Sequence, residues 1–274
     1  MSLAMPAPAI PDSRMPVLAG GAMSAVASIL QRRGLDPSKA MHTEDRPDST
    51  SEYQRDVYRQ AWVNSLRLSG HADYARYNLG KLDNAQDPKA LRIFVDAIAE
   101  ARAFDRQEAK KPEGEREKAR LNVQHMMAFG TVGAGKTVAA AAAGAYAVER
   151  GLMARFVSHA LFLHWLRPDC APAGLTATQV RERYERCDLL ILDDLCQEMD
   201  EYATNHVRTH TSNLITARLN SQKATLFTTN LSSDQVAHVL GDRLASRIGN
   251  NAQVLEMVGS DRRKPTTWGT KRTF

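Results

Sequence analysis

Residues 130–137 read Gly130-Thr-Val-Gly133-Ala-Gly135-Lys136-Thr137, preceded by the apolar run Met126-Met127-Ala128-Phe129 and followed by Val138 and an unbroken series of alanines. The pattern is G-x-x-x-x-G-K-[ST] placed between an expected strand and an expected helix, the context in which a glycine-rich loop cradles phosphate. Glycines let the backbone curl so that successive N–H groups point at an anion. The helix N-terminus adds its dipole, Lys136 neutralises charge, and the Thr137 hydroxyl can ligate a divalent cation. The whole segment Gly130, Thr131, Val132, Gly133, Ala134, Gly135, Lys136, Thr137 and Val138 is therefore the candidate nucleotide cradle. Its glycine order is not the G-x-G-x-x-G of a dinucleotide-binding turn.

Working outward, short apolar runs alternate with helical patterns, as in a parallel sheet with crossover helices. Strands are expected near Gln124–Phe129, Met153–Ser158, Asp188–Leu192, Ala224–Thr229 and Gln253–Met257. Helices are expected over Lys136–Glu149, Ala160–Leu166, Ala177–Arg186 (capped by Thr176), Glu201–Leu219 and Ser233–Leu240, where Ser232 and Gln235 form a capping box. The fold class is α/β, a P-loop domain with a five-stranded parallel sheet flanked by helices, preceded by a small, mostly helical N-terminal region.

Three further stretches carry chemistry. Asp188-Leu-Leu-Ile-Leu-Asp193-Asp194 is a buried strand delivering two carboxylates at its C-terminal end, where open parallel sheets bind ligands. Asp193 is assigned to Mg²⁺ and Asp194 to orienting and deprotonating the attacking water, since phosphoryl transfer mostly needs positioned charge. Ala224-Thr-Leu-Phe-Thr-Thr229-Asn230 ends another strand in an amide at the same edge, either positioning the water or capping the strand. In Gly241-Asp242-Arg243-Leu-Ala-Ser-Arg247-Ile, two arginines four residues apart can share a helical face. Their fork geometry suits a finger reaching the phosphates of a neighbouring subunit.

With these elements in this order, the stretch from about Leu82 to Arg263 resembles the AAA+ domain of DnaC-like helicase loaders and the related IstB-like transposition ATPases. The resemblance implies that Lys136 and Thr137 bind ATP and Mg²⁺, that Asp193 and Asp194 are the Walker B acids, that Asn230 is sensor 1, and that Arg247 is a finger acting in trans with Arg243 in support. It departs from the family at Val132, where proline or glycine is commoner, and at Ser260-Asp-Arg262-Arg-Lys264, which keeps the C-terminal pattern loosely. Neither an N-K-x-D guanine motif nor an ABC signature follows the loop; Leu68-Ser-Gly70-His lies upstream of it. Adenine is thus assigned on family grounds.

The chain is expected to divide into an N-terminal region, 1–80, an ATPase domain, 81–260, and a basic tail, 261–274. The first region has proline-rich and polar segments around an amphipathic helix from Ala22 to Arg33, then a helical stretch from Tyr53 to Leu79; another helix, from Ala90 to Phe104, falls at the start of the 81–260 domain. The helix and the Tyr53–Leu79 stretch either grip a partner or pack on the ATPase domain. Met15–Leu30 is too short and alanine-rich for a membrane span. Cys170, Cys187 and Cys196 form no pair or zinc pattern and point to a reducing compartment. A net charge of +5 and a pI near 9.2 admit nucleic acid as a partner. A stripe of Phe162, His164, Trp165 and Arg167 is read as core rather than a DNA contact. The expected function is a cytoplasmic ATPase, slow and stimulated by DNA or assembly, that binds a hexameric replicative helicase and places it on single-stranded DNA. The alternative is a transposition helper that assembles on duplex DNA; the linker-rich N-terminal part favours the loader.

Overall fold

A computed structural model describes residues 49–196 and 204–257. Five strands, β1 (His125–Gly130), β2 (Ala154–Ser158), β3 (Leu189–Asp193), β4 (Ala224–Thr229) and β5 (Ala252–Met257), form one sheet in the order β2-β3-β4-β1-β5, and every pairing is parallel. The helices are α1 (Ser49–Leu68), α2 (Pro88–Glu108), α3 (Lys136–Glu149), α4 (His159–Trp165), α5 (Ala177–Arg186), α6 (Asn205–Asn220), α7 (Ser233–Leu240) and α8 (Asp242–Gly249). The expected architecture is the observed one, with strand ends shifted by a residue. The expected caps of α5 and α7 are both capping boxes.

Successive strand residues point to opposite faces, so the sheet builds two cores. Met126, Ala128, Leu189, Ile191 and Leu226 pack with α1, α2 and α3, whereas Leu190, Leu192 and Phe227 pack with α4 to α8. The alanines of α3 bring that helix close to the sheet, and the packing reaches further through Gly144. A Cβ there would stand 2.2 Å from the Trp62 ring of α1. Trp62, Leu66 and Leu79 thus belong to the core of the sheet, which decides the Tyr53–Leu79 stretch in favour of packing for those residues.

That stretch is not one helix. It stops at Leu68, because Gly70 takes a left-handed φ of 76° and closes a Schellman turn: Gly70 N–H donates to Arg67 O at 3.1 Å and His71 N–H to Leu66 O at 2.8 Å. Single-turn 3₁₀ segments follow at Ala72–Arg76, Leu79–Lys81 and Asn84–Gln86. The end of α1 lies along the outer edge of β2. Ser65 Oγ accepts from Phe156 N–H at 2.9 Å, Ser69 Oγ donates to Phe156 O at 3.4 Å, and Trp62 and His71 meet the Phe156 ring edge-on.

α2 runs four residues beyond the expected Phe104, to Glu108, and Thr204 caps α6 at Val207 N–H. The expected start of that helix at Glu201, the Ala22–Arg33 helix and the 261–274 tail lie outside the described residues. Among the described residues no helix is long and apolar enough to cross a membrane.

Candidate nucleotide site

β1 ends at Gly130 beside the end of β4, Phe129 being in register with Thr229, so the loop and Asn230 emerge together. Gly130 has a φ of 145°, and a Cβ there would lie 2.0 Å from Met257 O of β5; only glycine fits. Gly133 and Gly135 are also left-handed, and Gly135 opens α3 with no side-chain cap, so the first N–H groups of that helix face the loop's hollow.

Buried Lys136 reaches back over the loop, its Nζ donating to Gly130 O and Thr131 O at 2.9 Å each and to Asn230 Oδ1. The loop lysine and the amide expected to be sensor 1 are therefore in contact. Behind the loop, Gln86 Nε2 donates to Gly135 O at 3.0 Å. The sequence reading missed Gln86: its capping box with Asp83 was visible as a pattern, but not its reach to the loop.

β3 sets Asp193 at its end, fully buried. Thr228 Oγ1 donates to Asp193 Oδ1 at 2.6 Å and accepts from Asp194 N–H at 2.9 Å. Asp193 Oδ2 is buried with no hydrogen-bond partner among the described residues. Burial first, then repulsion from Asp194, push its pKa up to about 7, against the pull of Thr228, Thr137 and Lys136. An oxygen-only pair of buried Asp193 and the half-buried Thr137 hydroxyl, with one carboxylate oxygen unspent, fits a hard cation such as Mg²⁺.

Asp194 is solvent-exposed with a left-handed φ of 53°, a conformation that short polar side chains tolerate. Its turn is held from several directions. Leu195 N–H donates to Thr228 O at 2.8 Å, and Thr229 Oγ1 donates to Leu195 O at 2.9 Å. Buried His159 accepts from Cys196 N–H at Nδ1, 3.3 Å, which leaves the proton on Nε2, 2.8 Å from Thr211 Oγ1. Burial takes the His159 pKa down to about 4, so the ring stays neutral. Thr228, Thr229 and His159 were not singled out in the sequence; the two threonines before Asn230 were the available signal.

Arg243 and Arg247 both sit on α8, as their spacing predicts, and Arg247 Nη1 donates to Thr216 Oγ1 at 2.9 Å. They line a groove of about 480 Å³ to which no residue of 130–137, nor Asp193 or Asp194, contributes. An apolar cavity of about 540 Å³ adjoins Gly130 and Asn230, walled by Met127, Phe129, Val236 and Ile248. Phe162 and Trp165 are buried, so they are core and not a stacking platform. Cys187 and Cys196 are buried free thiols, Cys170 is half-buried, and no metal-binding cluster of His, Cys, Asp and Glu occurs among the described residues.

Comparison with known proteins bears on the fold and the family. A crystal structure of a DNA replication initiation factor superposes with a TM-score of 0.51 at 18% identity, covering 66% of this chain and 49% of that one. A DnaC helicase loader gives 0.50 at 22% identity, covering 68% and 98%, and DnaI gives 0.50 at 22%, covering 70% and 93%. The chain thus spans about half of the first and nearly all of the other two. No curated protein matches it. At these identities the likeness shows the fold alone. The family model of IstB-like ATP binding proteins matches residues 120–267. That span takes in the whole sheet and each of the four motifs, more than half of the molecule, and on that ground the chain belongs to the IstB-like ATP-binding protein family.

Proposed function

We propose that the protein hydrolyses ATP in an assembly of its own subunits and uses the cycle to place a hexameric replicative helicase on single-stranded DNA. The observation that supports the chemistry is the convergence of Lys136, Asn230 and the Asp193-Asp194 pair at the C-terminal edge of one sheet. The loop N–H groups and Lys136 bind the phosphates. Asp194 and Asn230 orient the attacking water, and Asp194 takes its proton. Mg²⁺ held by Asp193 and Thr137 would offset charge on the phosphate oxygens. Arg247, with Arg243, completes the site of a neighbouring subunit, because it lies in a separate groove. Hydrolysis is accordingly slow in the isolated subunit and rises on assembly or DNA binding.

The loading role rests on the family motifs and on the likeness to a DnaC helicase loader. The grip on the helicase is assigned to the 1–80 region, chiefly to residues before α1, since Trp62 and Leu66 are committed to the core. The 261–274 tail carries Arg262, Arg263, Lys264, Lys271 and Arg272 against Asp261 and is suited to phosphate backbones. The working compartment is the cytoplasm. The test is capture from host extract with ATP, comparing the intact chain with one lacking residues 1–48. Retention of a replicative helicase by the intact chain alone supports the loader. Capture of a transposase, with assembly on duplex DNA, moves the same ATPase to a transposition helper.

A further inference from the structure

The groove that holds Arg243 and Arg247 has a third guanidinium. Arg208, on α6, lines it too, together with the polar side chains of Thr209, Ser212 and Asn213, and no carboxylate is among its lining residues. Arg208 is half-buried and pinned at one nitrogen, Nε donating to Val239 O at 3.2 Å, and its terminal nitrogens make no hydrogen bond among the described residues. Arg247 is pinned in the same manner through Thr216. Gly241, with a left-handed φ of 89°, makes the bend between α7 and α8 that faces α8 toward α6. Nothing in the groove balances three like charges, whose mutual repulsion costs stability unless an anion enters.

We propose that Arg208 is a third trans-acting cation, contacting the terminal phosphates of ATP bound to the next subunit alongside Arg243 and Arg247. The inference rests on the reading of Arg247 as a trans finger and extends it to a residue on a different helix. A triphosphate is the anion that fits. The three arginines line a single hollow of about 480 Å³ and do not run as a stripe along the surface, and planar forks favour bidentate phosphate contacts. Nucleic-acid backbone would call for a line of charges at intervals.

The test compares Arg208→Ala, Arg208→Lys and Arg247→Ala in the full chain, each alone and mixed with Lys136→Ala. The last lacks its own phosphate-binding lysine but still offers intact arginines to a neighbour. Arg208→Ala is expected to lower the assembly-dependent turnover about tenfold while leaving nucleotide binding unchanged and the melting temperature unchanged or slightly raised, since one of three repelling charges is removed. Arg208→Lys should keep part of the rate, and the mixture with Lys136→Ala should recover activity beyond the sum of its components. If Arg247→Ala is rescued by mixing and Arg208→Ala is not, the inference fails and the trans finger stands. If neither is rescued, the trans site itself is wrong. Unchanged turnover with weakened DNA binding by Arg208→Ala would assign the groove to nucleic acid and overturn the proposal.

Discussion

The phosphate loop with its acids and the arginine groove on α6 and α8 are built in opposite ways. In the first, nearly every polar group is spoken for: Lys136 bonds two carbonyls and Asn230, Thr228 serves both Asp193 and Asp194, and His159 holds Cys196. In the second, three guanidiniums are each anchored once or not at all and share no acid within the groove. The first is finished by folding; the second, as proposed above, is finished by a neighbouring subunit's nucleotide. A site whose groups already satisfy one another is held in place before a ligand comes and exchanges those bonds for the ligand's, whereas uncompensated charge is held in reserve for whatever arrives.

The most forceful way to break this contrast is Arg247→Ala. It should cost assembly-dependent hydrolysis about 10³-fold with ATP binding intact, measured by turnover against a fluorescent-nucleotide titration. Lost ATP binding would place Arg247 in its own subunit's site. Asp194→Asn should cost about 10²-fold in turnover, again with binding retained, because only the proton acceptor is removed.

Acid sharpens the contrast through stability. His159 and His125 are both lowered to about 4, mainly by burial, and in the unfolded chain each would return to about 6.5. Their folded pKa values are depressed, so the unfolded state binds the extra protons. Stability should therefore be present above pH 6.5 and fall progressively as pH drops toward 4, by up to ~3 kcal/mol per ring, read as melting temperature against pH. His159→Gln should flatten part of that slope.

Thr228→Val should destabilise by ~1–3 kcal/mol by stranding Asp193 Oδ1 and Asp194 N–H, and should weaken Mg²⁺-dependent nucleotide binding. Equilibrium unfolding and a Mg²⁺ titration check both. Gly144→Ala should cost ~1–3 kcal/mol of unfolding free energy by pushing Trp62 off α3, with catalysis per folded molecule unchanged.

Much of the fold was legible because its signals are local. The P-loop, the run ending in Asp193-Asp194 and the run ending in Asn230 each carry strand, turn and chemistry within ten residues, and α3, α5 and α7 appear between the residues expected. What stayed hidden depends on residues distant in sequence. Ser65 meets Phe156 across 91 positions and Gln86 meets Gly135 across 49, and no periodicity encodes either pairing. No local pattern marks His159, whose partner Cys196 lies 37 positions on, or Arg208, which meets Arg243 and Arg247 only where α6 and α8 line one groove. The Tyr53–Leu79 stretch was over-read as continuous helix because its apolar residues persist past Gly70, where the turn closes regardless.

The clasp of α1 on β2 has a meaning beyond packing. An outermost strand with free N–H and C=O groups invites another strand, its own copy's or a stranger's. Ser65 and Ser69 answer both groups of Phe156, and the Trp62 and His71 rings stand over it. That margin is thereby shut to strand addition, so a second copy meeting the protein along β2 has to be held there by side chains and not by a shared sheet. A joint of side chains opens more readily than a continuous ladder of backbone hydrogen bonds would.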